Sequence, residues 1–348
     1  MSATPRVLLT ALVVLVGCGD ETTSTAPPPP WAPVSTVSVG TAAVYLGVWG
    51  ASPDAVWMVG GDNDQGVVAR FDGQRLALEA IPAGPRLWWV AGADAEHVWA
   101  VGEGGRILRR DVTGWRAEPS GLGEKAILWG VWARAADDVW AVGGSNRRGG
   151  PKAVVLRSGG DGRWTPVDDP AFPADFNFYK VWGAAADDVH IVGEGGVTVR
   201  WDGQRFSRVD TGVSALLFTV HGRAAGPRLA VGGAASGLAF SFEDGKWRQE
   251  PLPVTLGLNG VYVRPDGTAV GCGERGVLLV RDVDGRWAPV GQEAIDAVGH
   301  RTLHAVWGDE ELWAVGGDLS SGTDGVILSS RVPTPKFGMG TAQFPRPK

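Results

Sequence analysis

The chain has 348 residues, of which 20% are charged, and its net charge is −6 with an isoelectric point near 5.4. An acidic chain lacks the basic surface that non-specific nucleic-acid binding needs, so nucleic acid is excluded as a predicted partner. The length alone suggests about two domains. An internal repeat overrides that expectation, because its units are predicted to close into one body.

The first segment, residues 1–17, has the form of a secretion signal. Val7–Val16 is mainly apolar and too short to span a bilayer. It leads into Leu15–Cys18 (LVGC), which resembles the bacterial lipobox. The resemblance implies that Cys18 is lipidated and anchors the protein in a membrane, and Gly19 after it favours the outer membrane. The alternative is an ordinary signal peptide that contains a cysteine.

The next segment is predicted to be a tether. Residues 18–30 are polar and then polyproline, which makes a semi-rigid spacer between a membrane and the folded body. Cys272 is the only cysteine besides Cys18, so we expect no internal disulfide. The fold must therefore depend on its apolar core, to which 17 tryptophans contribute.

One pentapeptide, VWAVG, organises the rest of the chain. It stands at Val98–Gly102 and at Val139–Gly143. Variants of it begin at Val56, Val189, Arg228, Thr268 and Leu312. A repeat of about 40 residues is typical of a propeller or a solenoid.

A second strand pattern precedes each copy of VWAVG, and the residue at its centre is most often tryptophan. We call these seven residues the central positions. They are Trp49, Ala91, Trp132, Trp182, His221, Tyr262 and Trp307. Third and fourth strands follow, joined by Asp-Gly turns that are typical of β-hairpins.

The VWAVG strand is apolar at every position, so both of its faces must be buried. Sheets stacked radially between two neighbours achieve this, and one isolated sheet does not. The sequence therefore predicts an all-β fold: a seven-bladed β-propeller of four-stranded antiparallel blades over residues 31–333. The tryptophan of VWAVG is predicted to fill the wedge between neighbouring blades.

The seventh unit lacks a fourth strand. It stops at Pro333 without the Trp-x-Pro-Val pattern seen at Trp164–Val167 and Trp287–Val290. That pattern stands instead at Trp31–Val34. We therefore expect an N-terminal strand to complete the last blade and leave no open sheet edge. Residues 334–348 are rich in Pro and Gly and are predicted to be disordered.

The phrases GVWG, DDVWAVG and DGxW resemble BNR-like or YVTN-type propellers of bacterial exported proteins. Similar phrases occur in photosystem II assembly-factor propellers and in tectonin-like lectins, and the paired glycines after the second strand resemble kelch repeats. The resemblance implies a propeller, a fold that serves hydrolases, oxidases, lectins and scaffolds alike. Ser158–Trp164 is the stretch nearest to an Asp-box and departs from its pattern.

Two kinds of propeller enzyme would each need a defined set of residues. A sialidase needs a tyrosine nucleophile with a glutamate partner and an arginine triad, but the three tyrosines all lie in or beside first strands, where packing is the default. A kelch-type copper oxidase needs tyrosine, histidine and cysteine residues near the axis. The residues of these types in this sequence are better explained as packing residues between blades. These residues are Tyr45, Tyr179, Tyr262, His221, His304 and Cys272. We predict no catalytic residue, no metal and no cofactor.

Acidic residues recur in the turn between first and second strands. They belong on one face of the disc, where they could bind calcium or repel anionic lipid, although Asp is also common simply because it forms tight turns. They are Asp54, Asp94, Glu96, Asp137, Asp138, Asp187, Asp188, Asp266, Asp309, Glu310 and Glu311.

Blade three departs most from the repeat. Its loop between the second and third strands is long and basic, its exit loop is also long, and propeller topology places both on one face. Extra loops with charge and aromatic residues often bind ligands, although neutral insertion explains them equally well. The predicted binding residues are Asn146, Arg147, Arg148, Lys152, Asp168, Asp169, Phe172, Asp175 and Phe176.

These patterns together predict an outer-membrane lipoprotein whose propeller is a non-catalytic binding or assembly module. Its partner is predicted to be a protein or a glycan of the cell envelope. The alternatives are a lectin with repeated sites between blades and a sialidase-like glycoside hydrolase. A lectin needs one polar and aromatic constellation per blade, and a hydrolase needs carboxylates and arginines that converge at the axis.

Overall fold

The computed structural model describes residues 35–37, 43–234, 236–290, 298–299 and 301–331. Its strands form seven antiparallel sheets of four strands each, which confirms the predicted all-β propeller. In every sheet the strand order follows the chain, apart from one strand contributed by the N-terminal segment. We number the blades from one to seven along the chain and the strands of each blade from the axis outward.

The first four blades are continuous in sequence. Their strands are β2 (Val44–Ser52), β3 (Ala55–Gly61), β4 (Gly66–Phe71) and β5 (Leu76–Leu78) in blade one; β6 (Leu87–Gly92), β7 (Val98–Gly102), β8 (Ile107–Asp111) and β9 (Gly114–Glu118) in blade two; β10 (Ile127–Ala135), β11 (Asp138–Gly144), β12 (Val154–Ser158) and β13 (Thr165–Pro166) in blade three; and β14 (Phe178–Ala185), β15 (Asp188–Gly193), β16 (Thr198–Trp201) and β17 (Phe206–Val209) in blade four.

The last of the remaining three blades takes its outer strand from a distant part of the chain. Their strands are β18 (Leu217–Gly222), β19 (Arg228–Gly232), β20 (Leu238–Glu243) and β21 (Lys246–Glu250) in blade five; β22 (Leu258–Val263), β23 (Ala269–Gly273), β24 (Leu278–Arg281) and β25 (Trp287–Pro289) in blade six; and β26 (Thr302–Trp307), β27 (Trp313–Asp318), β28 (Thr323–Ser329) and β1 (Ser35–Val37) in blade seven.

The ring closes without a covalent bond. Strand β1 pairs antiparallel with β28, with Ser35 opposite Ser329 and Val37 opposite Ile327. The first strand of blade seven, β26, also contacts β2 of blade one, so the first strands form a complete circle. Closure by an N-terminal strand is thus confirmed, with the pairing made by the three residues after the predicted segment. Trp31–Val34 themselves, residues 1–30 and the tail 334–348 lie outside the described residues.

Tryptophans of the second strands fill the wedges between blades, as predicted. Trp57, Trp99, Trp140 and Trp313 are at most 1% exposed. Each packs against the next blade in the ring, and Trp140, for example, contacts Phe178 and other apolar residues of blade four. These large, fully buried side chains supply much of the apolar burial that holds neighbouring sheets together.

In several blades a second tryptophan lies near the outer strand. Its indole N–H donates a hydrogen bond to a carboxylate of the preceding blade. Trp164 donates its indole N–H to Glu118 of blade two at 2.9 Å, and Trp287 donates to Glu250 of blade five at 2.7 Å. Glu250 also binds Arg281 of blade six at 2.6 Å. The DGxW pattern therefore contributes a directional contact between blades as well as a hairpin turn.

The disc has two faces that differ in their connections. We call the face that carries the loops between second and third strands and the links between blades the mouth face, and the other the turn face. Strand β1 begins opposite Ser329, the last residue of β28. Two residues after Ser329, Arg331 pairs with Asp54 in the first turn of blade one at 2.8 Å, so this end of β28 lies at the turn face. The N-terminal strand therefore enters from the turn face. Among the described residues, no helix is long and apolar enough to cross a membrane.

Candidate functional site at the channel mouth

Every first strand carries a β-bulge near its beginning, where it meets the mouth face. The register shifts between Leu87 and Trp89, for example, and an equivalent shift occurs in all seven first strands. A bulge turns the extra side chain away from the alternation of the strand. The bulged residues lie three places before the central positions, and we call them the mouth ring. They are Leu46, Trp88, Trp129, Tyr179, Phe218, Asn259 and His304.

Four consecutive members of the mouth ring are aromatic and contact one another across blades. The ring centroids of Trp88 and Trp129 are 6.5 Å apart, those of Trp129 and Tyr179 are 5.3 Å apart, and those of Tyr179 and Phe218 are 5.7 Å apart. Trp129 is buried at 4% exposure, whereas its three neighbours are partly exposed. The mouth therefore has an aromatic side that extends over blades two to five.

Three glutamates occupy one equivalent place in alternate blades, directly after the second strand. Glu103 accepts a hydrogen bond from the Trp88 indole N–H at 3.1 Å. Glu194 accepts one from the Tyr179 hydroxyl at 2.9 Å. The third, Glu274, follows β23 in a short 3₁₀ turn (Glu274–Gly276) like the turn that contains Glu194 (Glu194–Gly196).

The opposite side of the mouth is an open polar pocket between blades five, six and seven, with a volume of about 700 Å³. Its wall includes three carboxylates, one guanidinium, one amide, one imidazole and one aromatic ring. These side chains are Glu274, Asp318, Asp324, Arg301, Asn259, His304 and Phe218. Arg301 and Asp324 form an ion pair at 2.8 Å. The side chains of the pocket wall therefore carry more carboxylates than cations, and Phe218 adds an apolar surface.

The axial channel below the mouth is nearly filled. A cavity of only about 140 Å³ remains, lined by first-strand residues of all seven blades. Lys180 lies there, with its ammonium 3.8 Å from the Trp89 ring centroid and 2.9 Å from the Trp129 carbonyl oxygen, to which it donates. Burial lowers the pKa of Lys180 to about 7. The channel is therefore too small to hold more than a very small ligand.

The blade-three loops do meet on the mouth face. The buried side chain of Asn177, at the end of the exit loop, accepts a hydrogen bond from the Ser145 backbone N–H at 2.9 Å and donates to Asn146 at 3.0 Å. An open cleft of about 540 Å³ lies between the two loops. Four of the predicted binding residues line it: Lys152, Asp168, Asp169 and Phe172.

The other five predicted residues lie around this cleft rather than in it. Arg147 points toward blade two and pairs with Glu103 at 3.5 Å, which connects the loop to the mouth ring. The Arg148 backbone carbonyl accepts a hydrogen bond from Lys125 at 3.0 Å. Asp175 is exposed, and Phe176 is 40% exposed beside Gly195 of blade four.

Phe172 has a structural role that the sequence did not indicate. Its ring is half-buried and lies 5.5 Å from Phe178 and 4.8 Å from Phe206 of blade four, between ring centroids. The Arg208 guanidinium also donates to the Phe172 carbonyl oxygen at 2.9 Å. Phe172 therefore anchors the exit loop on blade four, and Phe176 is the exposed aromatic residue of the pair.

The acidic first turns lie on the turn face, and most of their carboxylates already have partners. Asp94 accepts backbone N–H groups of its own turn, and Asp309 binds Arg223 and the Tyr262 hydroxyl. Asp188 is the most heavily used. Hydrogen bonds from His190, from Arg200 at 2.8 Å and from Arg228 of blade five at 2.5 Å hold its pKa far below the usual value, although burial opposes them. These contacts give the acidic turns a structural role.

The tyrosines and histidines considered for an enzyme site lie in or beside first strands, where they contact neighbouring side chains. Tyr179 does pair with a glutamate, but burial and the Glu194 carboxylate both raise the pKa of its hydroxyl well above the ordinary value, so it remains a hydrogen-bond donor. His221 stacks on Tyr262 at 4.6 Å and accepts the Val263 backbone N–H at 2.9 Å. Both residues fill the space between blades, as the sequence suggested. His304 lies in the mouth ring, three places nearer the mouth face.

The mouth ring and Glu274 were not identified from the sequence. The available signal was the run of Trp88, Trp129, Tyr179 and Phe218 at one repeat position. Strand alternation does not reveal where such residues point, because the bulge changes their orientation.

Comparison with known proteins supports the fold and leaves the family open. No protein-family model matches the chain, and no curated protein matches it either. Solved structures do match over most of its length. YCF48 from Cyanidioschyzon merolae is 14% identical with a TM-score of 0.63, and the match covers 86% of this chain and 98% of that one. YCF48 bound to D1 peptide matches at 13% identity with a TM-score of 0.51, over 88% and 99% of the two chains.

Two bacterial propellers are similar in the same way. Virginiamycin B lyase from Staphylococcus aureus is 10% identical with a TM-score of 0.67, covering 86% of this chain and 99% of that one. The extracellular domain of a hybrid two component system from B. thetaiotaomicron is 11% identical with a TM-score of 0.63, covering 87% of this chain and 42% of that one. At these identities the likeness establishes the seven-bladed propeller, a fold that both binding proteins and enzymes use.

Proposed function

We propose that this protein is a non-catalytic binding or assembly module that holds an extended polypeptide segment of a partner across the mouth face. The observation that carries the proposal is the mouth ring. Every first strand bulges near the mouth face, and four consecutive bulged residues form a continuous aromatic side beside a pocket of about 700 Å³. Partly exposed aromatic side chains beside polar groups are typical of protein-binding surfaces.

Three further observations support a polypeptide partner. The blade-three cleft opens on the same face, so a long ligand could contact both regions. The channel is nearly closed at about 140 Å³, which suits a ligand lying across the surface better than one entering the axis. YCF48, a propeller of similar fold, has been solved with a peptide of D1 bound.

We also propose that the module is a lipoprotein of the cell envelope. Residues 1–17 are the signal peptide, Cys18 carries the lipid, and residues 18–30 form the tether. Because strand β1 begins at the turn face, we expect an anchor attached there to leave the mouth face open to a partner. Replacing Cys18 by Ser is expected to move the protein from the membrane fraction to the soluble fraction of its host. Retention in the membrane fraction would contradict the lipid anchor without affecting the binding proposal.

Site-specific photo-crosslinking tests the binding function. A benzoylphenylalanine placed at Phe218 or Phe176 should form adducts with one protein in the native host. The same group at Val112 or Val283 is the matched control, because these apolar residues are 77% and 67% exposed in third-to-fourth-strand turns on the turn face. Equal adducts from both faces, or none from the mouth face, would refute the proposal. Adducts that disappear after glycosidase treatment would favour a lectin instead.

A further inference from the structure

The three equivalent glutamates of the mouth differ in how many hydrogen-bond donors the protein supplies to their carboxylates. Glu194 is fully engaged: it accepts the Tyr179 hydroxyl at 2.9 Å, the Asn177 side-chain amide at 3.0 Å and the Asn177 backbone N–H at 2.8 Å. Glu103 accepts the Trp88 indole N–H at 3.1 Å and pairs with Arg147 at 3.5 Å. In both cases the neighbouring mouth-ring residue donates to the carboxylate.

Glu274 lacks these partners because blade six has different residues at the same places. Asn259 stands where blade four has Tyr179, and it donates its amide to the Leu303 carbonyl oxygen at 3.0 Å. Gly257 stands where blade four has Asn177 and supplies only a long backbone hydrogen bond of 3.4 Å. Within the described part of the chain, the second carboxylate oxygen of Glu274 has no hydrogen-bond donor, although it lines the pocket.

His304 of the adjacent blade presents a second unused acceptor. Its Nε2 is buried and has no partner among the described residues, and the ring lines the same pocket. Burial lowers the pKa of His304 to about 4, so the imidazole is neutral. The neutral tautomer with its proton on Nδ1 leaves the lone pair on Nε2.

The charge of the pocket favours a cation. Among the side chains that line it, Glu274, Asp318 and Asp324 contribute three negative charges and Arg301 one positive charge, which leaves a net charge of −2. Lys180 and Arg86 act on His304 from outside this lining. Hydrogen bonds from Ser320 and Ser321 hold the pKa of Asp318 at about 2, so it is ionised at neutral pH. Phe218 adds an aromatic wall, and an aromatic face attracts ammonium groups.

We propose, resting on the function proposed above, that this pocket binds a lysine side chain of the partner polypeptide. The ammonium group has three N–H donors, and Glu274 and His304 Nε2 offer the acceptors that the protein leaves unused. Charge-assisted hydrogen bonds of this kind are among the strongest in proteins. The aliphatic stem of the lysine lies along Phe218. The pocket thus recognises one basic residue, while the aromatic side of the mouth contacts the rest of the segment.

Ligand-observed NMR titration with acetyl-lysine methylamide tests the proposal. Wild-type protein should bind this probe, and the Glu274→Gln variant should bind it about tenfold more weakly. Glu194→Gln is the matched control, since Glu194 occupies the equivalent turn but is satisfied internally, and it should leave probe binding unchanged. His304→Phe keeps an aromatic ring, removes the acceptor and should also weaken binding. Thermal melting verifies that each variant is folded.

Three outcomes would overturn the inference. The first is equal binding of the probe by wild type and Glu274→Gln. The second is equal binding of acetyl-norleucine methylamide, which has the stem without the ammonium and would indicate an apolar pocket. The third is much tighter binding of putrescine than of the lysine probe, which would indicate a free amine instead of a polypeptide. A fourth result, failure of the wild-type protein to bind the probe while the crosslinks from Phe218 persist, would reject the lysine pocket and leave the binding function intact.

Discussion

The two faces of this propeller use their charged residues differently. On the turn face, carboxylates are committed to the fold: Asp188 binds two arginines, one of them from the next blade, and Asp309 binds Arg223 and Tyr262. On the mouth face, Glu274 and His304 keep unused acceptors beside open pockets. The unused acceptors described here therefore lie on one face, and the turn-face carboxylates named above bind their own or the next blade. The difference arises from a few residues per blade, since the strands are nearly the same throughout.

The largest effect should come from breaking the charge network on the turn face. Replacing Asp188 by Ala leaves Arg200, Arg228 and the buried His190 without their shared partner, and we expect a loss of about 3 kcal/mol in the free energy of unfolding. Urea denaturation measures it. Asp187→Ala is the control, because Asp187 is exposed in the same turn and should change stability by less than about 0.5 kcal/mol. Similar losses in the two variants would contradict the structural role of Asp188.

The channel between the faces should show a pH-dependent effect. The folded pKa of Lys180 is about 7, below the unfolded value of 10.5, so the unfolded state binds more protons between these pH values. Raising the pH from about 7 to about 9.5 should therefore stabilise wild type by about 2 kcal/mol relative to Lys180→Met. The Trp89 ring and the Trp129 carbonyl favour the charged ammonium form of Lys180. The expected stabilisation is therefore smaller than the full pKa shift would give. A constant stability difference across this range would show that the amine is solvated.

The smallest effect should separate two phenylalanines of the blade-three exit loop. Phe172→Ser removes a half-buried ring from contact with Phe178 and Phe206, and should cost about 1.5 kcal/mol of stability. Phe176→Ser should change stability by less than about 0.5 kcal/mol, because the ring is 40% exposed. The same serine variant should reduce partner crosslinking from Phe218. If Phe172→Ser left the melting temperature unchanged, the loop would not be anchored as described.

Much of the fold could be predicted from the sequence because the repeat is periodic. VWAVG is apolar at every position, which requires burial on both faces, and the missing fourth strand of the last unit indicates an N-terminal replacement. The interblade role of Trp164 and Trp287 was missed, since nothing local shows that Glu118 and Glu250 lie in the preceding blade.

The candidate site could be predicted only in part. Long loops in blade three were visible as a departure from the repeat spacing, and Lys152, Asp168, Asp169 and Phe172 of these loops line one cleft. The mouth ring was not visible, because its seven bulges interrupt the alternation from which side-chain direction is inferred. The distinction between Glu194 and Glu274 depends on partners that are 15 and 17 residues away in sequence. Such contacts become apparent only once the strands are paired.

The pairing of β1 with β28 sets the order in which the molecule is completed. Ser35–Val37 leave the ribosome early, yet their partner strand ends at Ser329, almost three hundred residues later. The ring cannot be sealed until nearly the whole chain has been synthesised, because loop closure over this separation comes last. A chain that crosses a membrane as an extended thread would therefore reach its destination before it is locked, and would finish its assembly there.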